Sequence, residues 1–488
     1  GIPESWSPQK RFCELPIGPL KALTGISNYG IINDSIFCWE VLYVRLYGTM
    51  EIGTNGHLLI GGCDTVELAK KWGTPLYVMD EAEIRRRARA YRQVLAENYP
   101  DSHVIYAGKT FMTMAMCRLM EDEGLGLDLV SGGELYTAIS AGFPLDSVYF
   151  HGNNKSPQEL ELALEQGVGR IVVDNFHELE LLEELAAGRK QKVKIFLRVT
   201  PGVEAHTHTY IQTGQVDSKF GFGLQNGMAQ QAVARACQLK HIELVGLHCH
   251  IGSQIIALDS FDVTVEIMVD FIAKLKAELG WKCTELSLGG GLGIRYTAED
   301  PEVSIENFGR RLADKLKGEI KKHALASPKL IVEPGRSIAG EAGTTLYTIG
   351  SSKVIPGVRK YVAVDGGMGD NPRVALYQAE YQALLANRAN EEADDLVSIA
   401  GKCCESGDML IWDLKIPEAN TGDILAVFCT GAYNYSMASN YNRLPRPAVV
   451  LVADGKADLI VKRESYEDLV RLDEIPQRLA KGKMKIAL

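Results

Sequence analysis

Between residues 103 and 333 the chain alternates between short β-branched runs and helical patterns. The runs fall at 103–107, 127–130, 147–150, 170–173, 194–199, 243–249, 284–288 and 329–333. A strand followed by a helix re-enters its own sheet as a parallel neighbour. Eight such units predict a (β/α)8 barrel, with an open doubly wound sheet as the second solution. The helix starts are marked. Ser131-Gly-Gly-Glu134 and Ser156-Pro157-Gln-Glu159 both fit a capping box, the second with proline at the first helical position. Asp174 is expected to cap the helix that begins near Phe176.

The flanks read differently. Residues 50–80 predict a strand at 57–62, a helix capped by Asp64, and a strand at 76–79. A long helix follows, with Ile84, Ala88, Tyr91 and Val94 on one face. Beyond 340 the helical patterns thin out. Short strands at 344–349, 358–364, 396–400, 424–428, 448–453 and 458–462 predict a β-rich domain, sandwich or barrel. The expected division is therefore N-terminal strands at 50–80 that join the β domain, a barrel at 81–340, and the β-rich domain at 341–488. Residues 1–49 show no period and lack the marks of a secretory or transit peptide. Because Met50 opens a fluent segment, 1–49 reads as a leader or non-native extension with no fold assigned.

Composition excludes some partners. A formal net charge of −10 argues against nucleic acid and anionic membrane surfaces. No apolar run approaches the ~20 residues of a membrane span. Ten cysteines without C-x-x-C spacing suggest reduced thiols and a cytoplasmic setting.

In a barrel of this kind chemistry gathers where the strands end. The first predicted strand ends in Tyr106-Ala107-Gly108-Lys109. A lysine there is either a surface residue past the strand or an amine that forms a Schiff base with a carbonyl. The other strand ends are also polar: Asp128 and Ser131; His151, Asn153 and Asn154; Asp174; Arg198; His248, His250 and Ser253; and Glu333 with Gly335 and Arg336. Gly289, Gly290 and Gly291 open a glycine run that suits an anion nest for a single phosphate. The pairs His206/His208 and His248/His250 have a spacing open to a metal, but the nest favours a phosphate cofactor and no metal is expected. Cys403-Cys404-Glu405 sits in the β-rich part, as a buried thiol pair or with one thiol as a proton donor. Lysine, phosphate nest, a flat histidine and a carboxylate together describe the needs of pyridoxal phosphate.

As an ordered set these motifs resemble the diaminopimelate decarboxylases, of the alanine-racemase-like class of pyridoxal-phosphate enzymes. The set runs from Tyr106–Lys109 through Asp128–Glu134, His151–Ser156, Ser218–Gly221, His248–Ser253, Gly289–Gly293 and Glu333–Arg336. It ends with Asn371-Pro-Arg373, Tyr377, Cys404–Asp408 and Gly431-Ala-Tyr433. The resemblance implies Lys109 as the Schiff-base lysine, His250 stacked on the ring and Glu333 at the pyridine nitrogen. It implies Ser253, Gly289, Gly290, Gly291 and Tyr433 at the phosphate, with Asp128, Arg198, Gly335 and Arg336 also on the cofactor. Arg336, Arg373, Tyr377, Glu405 and Tyr433 would bind the amino-acid substrate, and Cys404 would return a proton. It further implies a homodimer in which the Cys404–Glu405 segment comes from the second subunit. The expected reaction is decarboxylation of meso-2,6-diaminopimelate to L-lysine, the last step of lysine biosynthesis. The alternatives are a related ornithine, arginine or carboxynorspermidine decarboxylase, and a non-catalytic regulator on the same fold. One departure is local: Thr110-Phe111 follows Lys109.

Overall fold

The computed structural model describes residues 44–203 and 218–479. Of the segment 1–49, residues 1–43 lie outside the described residues, as does the pair His206/His208. Eight parallel strands close on themselves: Ser102–Ala107, Gly126–Leu129, Val148–Phe150, Arg170–Val173, Val193–Thr200, Ile242–His248, Glu285–Ser287 and Lys329–Val332. The last pairs with the first, so no edge remains, and the open-sheet alternative falls away.

Inside the barrel Ile105, Tyr149, Val172, Phe196, Val245 and Ile331 form a small separate core. Their strands alternate residues inward and outward, so one apolar side chain from each fills the lumen. Arg170 reaches Glu285 with two hydrogen bonds, of 3.1 and 2.7 Å, near the strand starts. With that end filled, the opening lies at the strand ends. The larger core packs the outer strand faces against the surrounding helices. Helix Glu81–Asn98 buries Ile84, Ala88, Tyr91 and Val94, the face its spacing predicts.

The caps show where local rules are overridden. Ser156 and Glu159 form the reciprocal capping box with Pro157 at the first turn. Ser131 caps its helix through Glu134 N, but the Glu134 carboxylate turns to Val130 N instead. Asn175, not Asp174, caps helix Phe176–Arg189. Asp174 Oδ2 accepts from Gly221 N at 2.9 Å, so its carboxylate serves the strand-end loops.

After Ala339 the chain builds a second sheet around the long strand Gly343–Ile355. Strand Leu76–Asp80 joins it, antiparallel to Gly343–Leu346 and parallel to Ala448–Val452. Strands Glu51–Ile52, Leu58–Ile60 and Cys63–Asp64 form their own small sheet, which packs Leu58, Ile60 and Cys63 into the core of the β domain. Beyond residue 340, strands Ala383–Leu385 and Met409–Ile416 add to those predicted. No helix among the described residues is long and apolar enough to cross a membrane.

Candidate active site

Most of the residues that end the barrel strands, though not Ser131, Asn154, Asp174 or Gly289, line one cavity of about 920 Å³, large enough for a cofactor with a small substrate. Lys109 follows the first strand on a single 3-10 turn, Gly108–Thr110. That turn is fixed from three sides. Ala107 N donates to Pro334 O at 3.1 Å, and Tyr433 N and Ser436 Oγ donate to Thr110 O at 2.9 and 2.8 Å. A side chain at Gly335 would meet Thr110 Oγ1 at 2.1 Å, so glycine is what lets the strand-eight loop close on this turn. Lys109 keeps accessible surface, but it is the surface of the cavity, with protein around it on every side. Burial opposes its charge, yet Asp128, Tyr433 and Glu333 outweigh that and raise its pKa.

One end of the cavity is acidic. Glu333 Oε1 accepts from Ser287 Oγ at 2.7 Å, and Glu333 Oε2 lies 3.1 Å from His248 Nε2. Burial alone would raise this carboxyl; His248, His151 and the two hydrogen bonds carry it well below the usual carboxylate range. His151 Nε2 stands between two acids, 3.5 Å from Asp128 Oδ1 and 3.6 Å from Glu333 Oε1. Burial and the Glu333 charge push Asp128 up to about 8, against the pull of Lys109. Two like charges this close do not both persist, so the carboxylate charge rests on Glu333. His151, His248 and Glu333 are also spaced for a metal, but both Glu333 oxygens are already engaged.

Above this end lies His250. Gly290 N donates to its Nδ1 at 3.3 Å, which places the ring proton on Nε2. Burial, then the Lys109 charge, holds its pKa well below the ordinary value, so the ring is neutral. A Cβ at Gly290 would meet Glu333 O at 2.1 Å, and one at Gly291 would meet Gly252 O at 2.4 Å. The glycines are demanded first by neighbouring backbone, and the loop they form then faces the cavity.

The other end is cationic. Arg336 Nη2 donates to Ser253 Oγ at 2.9 Å and Nη1 to Tyr296 Oη at 2.5 Å. Arg373 Nη1 donates to the same Tyr296 Oη at 2.9 Å and to Tyr381 Oη at 3.0 Å. Both Nε atoms are buried without a partner. Tyr433 joins from the β domain, its ring 4.8 Å from the Arg336 guanidinium. Arg198 and Tyr377 complete the lining, Arg198 stacked 4.2 Å over Phe220.

Sequence reasoning missed Tyr296, Tyr381 and Ser287, and left His248 without a part. Nothing local marks them; their partners are residues far along the chain. Conversely, Cys404 and Glu405 do not line the cavity of a single chain. Their loop is held rigidly: Asp408 accepts from Cys403 N at 2.7 Å and Met368 N at 2.6 Å, and Asn442 Oδ1 accepts from Cys404 N at 2.7 Å. Cys403 is buried and Cys404 exposed.

The donor set fits pyridoxal phosphate. An accessible amine, an ionised carboxylate, a neutral flat imidazole and a glycine loop beside Ser253 and Arg336 open on one cavity, with orphaned buried atoms on Arg336 and Asp128. Residues 81–340 match the family model for the pyridoxal-dependent decarboxylase, pyridoxal binding domain. The diaminopimelate decarboxylase of Bacillus subtilis (strain 168) is 54% identical over 428 residues, 88% of this chain and 98% of that protein. That of Staphylococcus aureus (strain COL) is 47% identical over 423 residues, covering 86% and 99%. The crystal structure of diaminopimelate decarboxylase from M. jannaschii in co-complex with L-lysine superposes with a TM-score of 0.83 at 36% identity, over 89% of this chain and 100% of that one. With its barrel, its cavity and relatives matched over nearly their whole length, the chain belongs to the diaminopimelate decarboxylase family of pyridoxal-dependent decarboxylases.

Proposed function

We propose that this chain is a pyridoxal-phosphate-dependent carboxy-lyase that converts meso-2,6-diaminopimelate to L-lysine and CO2. The observation that carries this reading is the cavity's polarity. Lys109 shares the cavity with an ionised Glu333 and with two guanidiniums, Arg336 and Arg373, gathered on Tyr296. Ornithine- or arginine-type substrates end in a cation and call for acidic groups there; paired arginines suit a tail that ends in a carboxylate.

Lys109, His250, Glu333, Ser253, the Gly289–Gly291 loop, Gly335, Arg336 and Tyr433 would hold the cofactor, with Asp128 and Arg198 behind them. When bound, pyridoxal phosphate supplies a carbonyl for an amine and a ring that accepts the electron pair left when CO2 departs. Glu333, kept ionised by Ser287 and His248, holds a proton at the ring nitrogen. The neutral His250 offers a flat face without adding charge. Lys109 acts as a nucleophile once it has given up its extra proton. Arg336 and Arg373 hold the distal carboxylate. Cys404 protonates the α-carbon and Glu405 takes the distal amine, both delivered by a second copy of the chain.

The exposed, fixed Cys404 loop supports that homodimer. We further propose the division into strands at 50–80, barrel at 81–340 and β domain at 341–488, and a cytoplasmic setting without nucleic-acid or membrane partners.

CO2 release measured side by side on meso-diaminopimelate, lysine, ornithine and arginine tests the substrate. Activity confined to meso-diaminopimelate is expected; activity on ornithine alone would sink the reading. Mixing inactive Lys109→Ala and Cys404→Ala subunits tests the shared site. Random pairing makes half the dimers hybrids with one intact site each, so roughly a quarter of wild-type activity should return. No recovery in confirmed hybrids would place Cys404 elsewhere.

A further inference from the structure

We infer that Tyr296 is a specificity-determining residue whose hydroxyl gathers Arg336 and Arg373 into one receptor for the substrate's distal carboxylate. The inference rests on the decarboxylase reading and deepens it.

Two guanidiniums brought together in a buried site repel each other and lose hydration. Here both donate to one atom, Tyr296 Oη, from Arg336 Nη1 at 2.5 Å and Arg373 Nη1 at 2.9 Å. The ring lies 5.8 Å from one guanidinium and 5.3 Å from the other. A hydroxyl accepts twice and donates once. With both acceptor positions taken by the arginines, the Tyr296 proton is left for a third partner, and the residue lines the cavity.

The choice of a neutral acceptor is what matters. A carboxylate at this point would align the arginines equally well and cancel their charge. Tyrosine aligns them and leaves both positive charges available. Among the described residues neither guanidinium is ion-paired with a carboxylate, and each keeps a buried Nε without a partner. An anion with two oxygens meets that demand, and the side chains present N–H groups to it in fixed positions.

The backbone around Tyr296 is built to hold it still. Asp300 Oδ2 accepts from Tyr296 N at 2.8 Å and Thr297 N at 2.9 Å. Gln254 clamps Ile294 from both sides, donating to its carbonyl at 2.7 Å and accepting from its N–H at 3.2 Å. Tyr381 packs edge-on against the ring at 5.6 Å. Removing the hydroxyl alone leaves this packing intact.

The test is Tyr296→Phe in the cofactor-loaded enzyme. Binding of L-lysine is compared with that of cadaverine, the same diamine without the carboxylate. Lysine binding and kcat/KM on meso-diaminopimelate should weaken roughly tenfold or more, as for a lost hydrogen bond to charged groups, while cadaverine binding stays within about twofold. An unchanged lysine-to-cadaverine ratio, or equal weakening of both, overturns the proposal. A wild-type enzyme that releases no CO2 from meso-diaminopimelate would sink the underlying decarboxylase reading; an active wild type with an unchanged Y296F ratio sinks the tyrosine's role alone.

Discussion

Lys109→Ala is expected to lower decarboxylation by a factor on the order of 10³–10⁶, the loss seen when a covalent catalyst is removed. The size follows from position. Lys109 is held on a turn fixed through Ala107, Thr110 and Gly335. Of the other lysines near the strand ends, Lys219 lines the same cavity with its ammonium 4.9 Å over the Phe220 ring, and the buried Lys155 is committed to Glu178 at 2.6 Å and to the carbonyls of Gly152 and Val172, each at 2.8 Å. The variant should keep its fold and cofactor affinity in part, because the phosphate end stands without the lysine. It should lose the visible absorption band of the lysine-bound cofactor, and a small added primary amine should restore some turnover. A Lys109→Ala enzyme within tenfold of wild type would remove the lysine from the chemistry.

The second large effect separates two acids that sit one imidazole apart. Glu333→Gln should cost about 10²–10³ in kcat, the scale for removing one preorganised electrostatic group. Asp128→Asn should cost less than about tenfold at pH 7, because a group that keeps its proton is replaced by a neutral amide of the same shape. The sign with pH follows from the raised value. Asp128 is neutral below about 8 and becomes charged above it. The wild-type rate should therefore change as pH passes that point, and Asp128→Asn should lack that inflection. Kinetics across pH 6 to 9.5 on the three proteins decide it; equal losses in the two variants would mean the charge is shared, not held on Glu333.

The barrel was legible because its signal is local and repeated. All but one of the β-branched runs end in a polar group, and most of the barrel's helix starts carry a capping side chain, Met228–Ala236 and Asp259–Leu279 excepted. Lys109, Glu333 and His250 could be singled out because a lysine, an acid or a histidine directly after an apolar strand is costly without a use. Tyr296 carries no such mark. It follows a glycine run as an ordinary aromatic, and its meaning lies in Arg336 and Arg373, which are 40 and 77 residues away. Asp174 and Asn175 illustrate the same limit at short range. Both are good caps by type, and only the approach of Gly221 decides which one leaves the helix. Strand Met409–Ile416 opens on the apolar run Met409–Trp412 and continues through Asp413 and Lys415, charges that suit a strand at the end of the sheet order.

Strand Leu76–Asp80 lies between partners that are made some 270 and 370 residues later. On the ribosome it emerges before the barrel and waits through the whole of it. Its neighbour Ala448–Val452 arrives only near the end of synthesis. The barrel is thus an insertion within the β domain, and the second domain is closed by sequence-distant pairings that form last. Such an order lets the cofactor site take shape on a contiguous stretch of chain. It leaves Tyr433 and Arg373, on the late-arriving side, to complete that site only when strand Leu76–Asp80 has met its late partners.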